Sequence, residues 1–215
     1  MTMAATLDRP LVLIVDDDAA VRGALTDLME SVGLDAAGFA SAHELTEASI
    51  PDRSGCLVLD VRMPGGSGLD LQQQLAANGN AKPVVFLTGH GDIEMTVQAM
   101  KAGAIDFLTK PVRDQTLLDA VTIGIERDVA QRSRAQAARR QVDRHASLTP
   151  RERQVFRAVA LGRLNKQIAW ELGISVVTVK LHRSSVMRKM QVRTISDLVR
   201  AWEALPADLR EAEPS

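Results

Sequence analysis

Four short apolar runs, LVLIV at 11–15, CLVL at 56–59, VVFL at 84–87 and AIDFL at 104–108, are separated by segments whose apolar residues recur every three or four positions. Runs this short and this apolar read as strands buried on both faces, and strands alternating with amphipathic helices form a parallel sheet covered by helices. Val21, Leu25, Leu28 and Val32 are expected to keep one inward helical face as far as Gly33, and Ile93, Val97 and Met100 another as far as Gly103. A weaker strand near 35–39 completes five βα units, the last helix starting near Arg113 with Leu117, Val121 and Ile125 inward.

This plan accounts for residues 9–125 of 215, and a chain of that length suits two small domains. Residues 126–147 lack glycine and proline and are rich in alanine, arginine and glutamine, which predicts a helical linker. Its apolar stripe thins after Val129, so a dimerising helix and a solvated tether both fit. Residues 148–207 form the second domain. Thr149-Pro150-Arg151-Glu152 is a helix start with a capping box, and helices are expected at about 151–161, 165–172, 176–190 and 195–205. Gly173 should end the second, Ser175 cap the third, and Thr194 with Asp197 cap the fourth.

Charge divides the chain in the same way. Residues 1–125 carry 8 Lys and Arg against 17 Asp and Glu, whereas residues 151–193 carry 10 against 2, so only the second domain suits a polyanion. No apolar run approaches a membrane span and the first ten residues do not read as an export signal, so a cytoplasmic location is expected. Cys56, the only cysteine, reads as a small buried hydrophobe.

Asp16, Asp17 and Asp18 follow the first apolar run, Asp60 follows the second, Thr88 ends the third and Lys110 follows the fourth. Parallel sheets bind ligands at these carboxyl ends of their strands. Clustered carboxylates repel unless a cation joins them, and an oxygen-only set favours magnesium. One carboxylate is then left to attack phosphorus, with a hydrogen bond from Thr88 and a positive charge from Lys110 to receive the phosphoryl group. Taken singly, each aspartate could equally be a helix or turn cap.

Residues 165–190 read as helix, glycine turn and longer helix, a DNA-binding plan. On the longer helix Val179, His182, Val186 and Met190 should face the core, His182 as a packed structural residue. The opposite face carries Val177, Lys180, Leu181, Ser184 and Arg188, to which Thr178 is added as a DNA contact, with Arg183 and Lys189 flanking it near the phosphates. Phe156, Trp170 and Trp202 are expected at packing positions, which argues against single-stranded RNA.

The motifs VDDD, VLDVRMPGGSG, LTGHGD and DFLTKP, in this order, resemble the receiver domains of two-component response regulators, and TGHGD with DVRMP the FixJ-like subgroup. LTPRERQV, NKQIAWELGIS, TVKLHRSSVMRKM and TISDLVRAWEAL resemble the LuxR-type helix-turn-helix domain. The resemblance implies a flavodoxin-like, doubly wound α/β receiver with a five-stranded parallel sheet, then an all-α four-helix domain. It further implies Asp60 as phospho-acceptor, and Asp16, Asp17, Asp60 and the Arg62 backbone carbonyl as Mg2+ ligands. Thr88 and Phe107 would be a switch pair, although alternation along AIDFL equally allows Phe107 a permanent core position. A cis peptide is implied before Pro111, and Gly65-Gly66 makes a looser turn than the subgroup suggests. His90 would lie in a loop near the site. Ile195, Leu198, Val199 and Trp202 would divide between a dimer interface and the core.

The function implied is a phosphorylation-controlled, sequence-specific transcription regulator, with no enzymatic turnover beyond phosphorylation and dephosphorylation of its own Asp60. The partners implied are a histidine kinase, double-stranded promoter DNA, a second copy of the chain after phosphorylation, and RNA polymerase. A covalent phosphatase would be expected to carry a second acid two residues after Asp60, where this chain has Arg62. Two further readings compete: a small-molecule-responsive regulator with the same DNA-binding domain, whose ligand-dependent DNA binding would be indifferent to Asp60→Asn, and a scaffold that binds no DNA.

Overall fold

A computed structural model describes residues 9–63, 66–77, 82–89 and 92–211, which divide into two compact units between Arg132 and Ser133. In the first unit β1 (Leu11–Val15), β2 (Asp35–Phe39), β3 (Gly55–Leu59), β6 (Val84–Thr88) and β7 (Asp106–Thr109) form one sheet in the order β2-β1-β3-β6-β7, every pair parallel. A separate two-residue ladder pairs β4 (Arg62–Met63) antiparallel with β5 (Gly66–Ser67). The connections carry α1 (Ala19–Ser31), α2 (Ala42–Glu47), α3 (Gly68–Ala77) and α4 (Ile93–Lys101), and α5 (Asp114–Ala146) follows β7.

Because successive strand residues point to opposite faces, the apolar runs feed two cores. Leu13, Val15, Leu57, Leu59 and Phe86 lie in one, and Val12, Ile14, Cys56, Val58 and Val85 lie in the other with Leu117 and Val121 of α5. Burial pushes the Cys56 thiol up to about 12, so it behaves as the hydrophobe its position suggests.

Two helical faces differ from expectation. In α1 the buried residues are Leu25 and Met29, Val21 and Leu28 are partly buried, and Val32 at the carboxyl cap is exposed. In α4 the expected face is turned to solvent: Ile93 is 85% exposed and Val97 and Met100 are nearly half exposed, while Ala99 is buried and Met95 packs on the core. The small Ala99 lets the backbone approach the sheet, and the larger apolar residues fall on the opposite side. The period was legible but not its phase. Both helices end at glycines with positive φ, Gly33 at 82° and Gly103 at 88°, as expected.

Helix α5 is one continuous helix of 33 residues that takes in almost all of the expected linker and crosses the boundary between the units. Gly124 allows it to lie against β3, since a Cβ there would stand 2.6 Å from the Cys56 sulfur. Every residue from Ser133 to Arg140 is exposed.

The second unit contains α6 (Pro150–Ala160), α7 (Asn165–Leu172), α8 (Val176–Lys189) and α9 (Ile195–Glu203), close to the expected bounds, and a further short helix α10 (Ala207–Glu211) that the sequence did not suggest. Thr149 and Thr194 form the expected capping boxes, Ser175 caps α8, and Gly173 ends α7 with φ 63°. Val155, Phe156, Ile168, Val179, Val186, Met190 and Leu198 make the core, with Trp202 edge-on to Phe156 at 5.2 Å. Trp170 departs from its expected packing position: it is 85% exposed, because α7 turns Ile168 and Ala169 inward instead.

Candidate functional site

The acidic residues converge where β1 and β3 end. Asp16 follows β1 and Asp60 follows β3, each next to a fully buried strand, so the fold itself places both carboxylates almost out of water. Asp16, Asp17 and Asp60 each offer an oxygen within 4.8 Å of the others. Lys110, one residue past β7, reaches across to donate to Asp16 Oδ2 at 2.5 Å and Asp60 Oδ2 at 2.8 Å. Burial alone would lower the Lys110 ammonium, but the hydrogen bonds it donates to Asp16 and Asp60, with their negative charge, outweigh this and hold it above the ordinary lysine value.

The remaining carboxylate oxygens are oriented by backbone. Asp60 Oδ1 accepts from Arg62 N at 3.1 Å, and Asp16 Oδ1 accepts from Asp18 N at 3.0 Å. Asp18 is the one aspartate of the triplet used as a helix cap. It accepts from Ala20 N and Val21 N, and those bonds hold its carboxyl below the usual range. One lysine cannot balance three clustered carboxylates, and an all-oxygen donor set with net negative charge fits a hard divalent cation such as Mg2+.

Thr88 ends β6 and is buried, and the backbone N–H of Lys110 donates to its carbonyl at 2.8 Å. Phe107 is half-buried, its ring 5.9 Å from that of Phe86. The Lys110–Pro111 peptide is cis. His90 and Gly65 lie outside the described residues, whereas Gly66 pairs with Met63 in the short ladder.

In the second unit, α8 buries Val179 and Val186 and leaves Val177, Lys180, Leu181, Ser184 and Arg188 exposed, with His182 half-buried. The other three expected contacts have partners within the unit. Thr178 bonds Ser175, and Arg183 donates to Asn165 Oδ1 at 2.9 Å. Lys189 donates to Glu152 Oε2 at 2.6 Å and to the Ser147 carbonyl. Glu152, expected only as part of a capping box, also accepts from Ser185 Oγ at 2.6 Å and from Thr149 N. Burial would raise its carboxyl, yet these bonds, led by Lys189, push it down to about 2. Its spacing from Thr149 signalled the cap, but the sequence carried no sign of the partners on α8.

Residues 12–122 match the family model of the response regulator receiver domain, and residues 146–202 that of the bacterial regulatory proteins of the luxR family. The chain is 47% identical over 205 residues to nodulation protein W of Bradyrhizobium diazoefficiens, covering 95% of this chain and 90% of that protein. It is 45% identical over 188 residues to the transcriptional regulatory protein FixJ of Azorhizobium caulinodans, covering 87% and 89%. Among solved structures, the response regulator StyR superposes with a TM-score of 0.83 at 47% identity, covering 91% of this chain and 98% of that one. Full-length FixJ from B. japonicum gives 0.56 at 38% identity, covering 91% and 96%.

Proposed function

Because this chain belongs to the response regulators that join a receiver domain to a LuxR-type DNA-binding domain, we propose that phosphorylation of Asp60 controls its binding to promoter DNA. The observation that carries this reading is the convergence of Asp16, Asp17 and Asp60 on Lys110 at the ends of adjoining strands. The donor of the phosphoryl group is a phosphohistidine of a partner kinase. An Asp60 oxygen bonds to phosphorus as the P–N bond breaks, and the electron pair stays on the imidazole nitrogen. Arg62 N and Lys110 Nζ fix the rotation of the carboxylate before the donor arrives, which lowers the cost of reaching the attack geometry. Asp16, Asp17, Asp60 and the Arg62 carbonyl would hold Mg2+, which supplies positive charge to the phosphoryl oxygens. With Arg62 where a phosphatase would carry its second acid, the reaction stops at the phosphoprotein until Asp60 is dephosphorylated, without turnover of other substrates.

The new group adds roughly −1.5 to −2 charge, which Lys110 and the Thr88 hydroxyl help to offset. Movement of Thr88 toward it makes room for Phe107 and alters the face of α4 and β7. That face exposes Ile93, Val97 and Met100, an apolar stripe suited to a second copy of the chain. Sedimentation should show a phosphoryl mimic strengthening self-association on the order of tenfold or more, with Ile93→Asp/Val97→Asp abolishing the gain. An unchanged monomer fraction alongside increased DNA affinity would replace dimerisation by release of inhibition within one chain.

A dimer would present two copies of α8 to two half-sites. Val177, Lys180, Leu181, Ser184 and Arg188 would enter the major groove; Thr178 and Arg183 would have to share or exchange their internal partners to reach DNA, and Lys189 would have to leave Glu152. Lys180→Ala is expected to alter preference on the order of tenfold or more at one base position, as read by selection from random duplexes. Retention of the wild-type preference would remove Lys180 from base readout. No helix among the described residues is long and apolar enough to cross a membrane, and we place the protein in the cytoplasm with its kinase, its promoter and RNA polymerase.

A further inference from the structure

The first unit buries a carboxylate that the phosphorylation site does not use. Asp128 of α5 is 4% exposed and lies at the opposite end of β3 from Asp60. Its Oδ2 accepts from Gly55 N, the first residue of that strand, at 2.8 Å, and from Arg132 Nε at 2.9 Å. Lys82 Nζ is 3.8 Å away and donates to the Arg53 carbonyl at 2.7 Å. Arg132 extends the network by donating to Asp52 Oδ1 at 2.7 Å.

Backbone geometry leaves little play at this junction. A Cβ at Gly55 would stand 1.9 Å from the Leu11 carbonyl oxygen, and one at Gly124, a turn before Asp128, would meet the Cys56 sulfur. The first holds β3 close against β1 and the second holds α5 close against β3, and Asp128 joins the helix to the start of the strand by a charged hydrogen bond. An apolar residue at 128 could stabilise the packing as well, since burying a carboxylate is costly. What the carboxylate adds is a single register for the helix on the strand and a definite last turn held by the receiver.

We infer that Asp128, with Arg132 and Lys82, is a clasp that fastens α5 to the strand bearing Asp60 and fixes where the helix leaves the receiver. Helix α5 is the covalent route to the second unit. With the clasp open, its turn at 126–132 frays, and changes around Asp60 no longer determine the state of the helix beyond. This last consequence rests on the proposed function, whereas the clasp itself does not.

Hydrogen exchange of the unphosphorylated full chain tests the clasp. Asp128→Asn should speed exchange in peptides spanning 124–132 on the order of tenfold or more, with β1 and β6 unchanged. Treated with Mg2+ and acetyl phosphate, the same variant should label at Asp60 like the wild type but lose the gain in DNA affinity that labelling brings. Wild-type exchange at 124–132, or faster exchange with the full gain in affinity, would overturn the inference. Should Asp128→Asn exchange rapidly throughout, Arg132→Gln decides by the same two outcomes, because it leaves the buried carboxylate with Gly55 and Lys82. A wild type that gains no DNA affinity on labelling would refute the proposed function, and exchange at 124–132 would still decide the clasp.

Discussion

Asp60→Asn is expected to take up no phosphoryl group from Mg2+ and acetyl phosphate, whereas the wild type gains one, located at Asp60 by mass spectrometry of its peptides. An amide has neither the charge nor the free lone-pair density of a carboxylate, so attack on phosphorus is lost rather than slowed. The substitution should leave the fold in place. Asparagine matches aspartate in shape, its carbonyl can still accept from Arg62 N or Lys110, and Lys110 keeps Asp16. Removing one of three clustered negative charges also relieves repulsion in the absence of a cation. DNA affinity in the variant should stay at the unphosphorylated level with the donor present. Undiminished labelling of Asp60→Asn would show that the acceptor lies elsewhere.

Glu152→Gln is expected to give the largest loss of stability, confined to the second unit. The buried carboxylate answers three donors, Lys189 Nζ, Ser185 Oγ and Thr149 N, and glutamine can accept from only some of them and forfeits the charge. The folded-state value of about 2 lies well below the ordinary 4.5, so the stabilisation is complete above pH 4.5 and declines as pH falls toward 2. The displacement corresponds to about 3 kcal/mol undiminished and about 2 kcal/mol once solvent around Lys189 is allowed for. Both tryptophans lie in the second unit, with Trp202 packed on Phe156, so fluorescence follows its unfolding without interference from the first. Denaturation at neutral pH should separate wild type from variant by that amount, and the two should converge as pH approaches 2. Equal stabilities at neutral pH would mean that the Lys189 pair only balances its own desolvation.

What the sequence made legible was what depends on near neighbours or on a simple period. Four short apolar runs, LVLIV, CLVL, VVFL and AIDFL, placed four strands beside a weaker fifth at 35–39, and the strand ends brought the carboxylates together because parallel strands share one carboxyl edge. The α8 projection separated buried Val179 and Val186 from exposed Lys180 and Arg188 for the same reason. Two kinds of information were hidden. A helical period does not say which side meets the core when small residues compete with large ones, hence the turned face of α4 against the sheet and the exposed Trp170 of α7 in the helical unit. Pairings between distant positions leave no local trace either. Asp128 with Gly55, 73 residues apart, and Lys189 with Glu152, 37 apart, are set only once the cores have formed.

The bare stretch of α5 from Ser133 to Arg140 answers to no core, so mutation can rewrite it with few penalties other than proline or glycine. Over evolutionary time that stretch should drift faster than the turns on either side, which are answerable to Asp128 in one direction and to the Arg144–Gln191 bond in the other. Lineages could in this way acquire new residues on an already helical surface, and with them new neighbours, without disturbing phosphoryl chemistry or base readout.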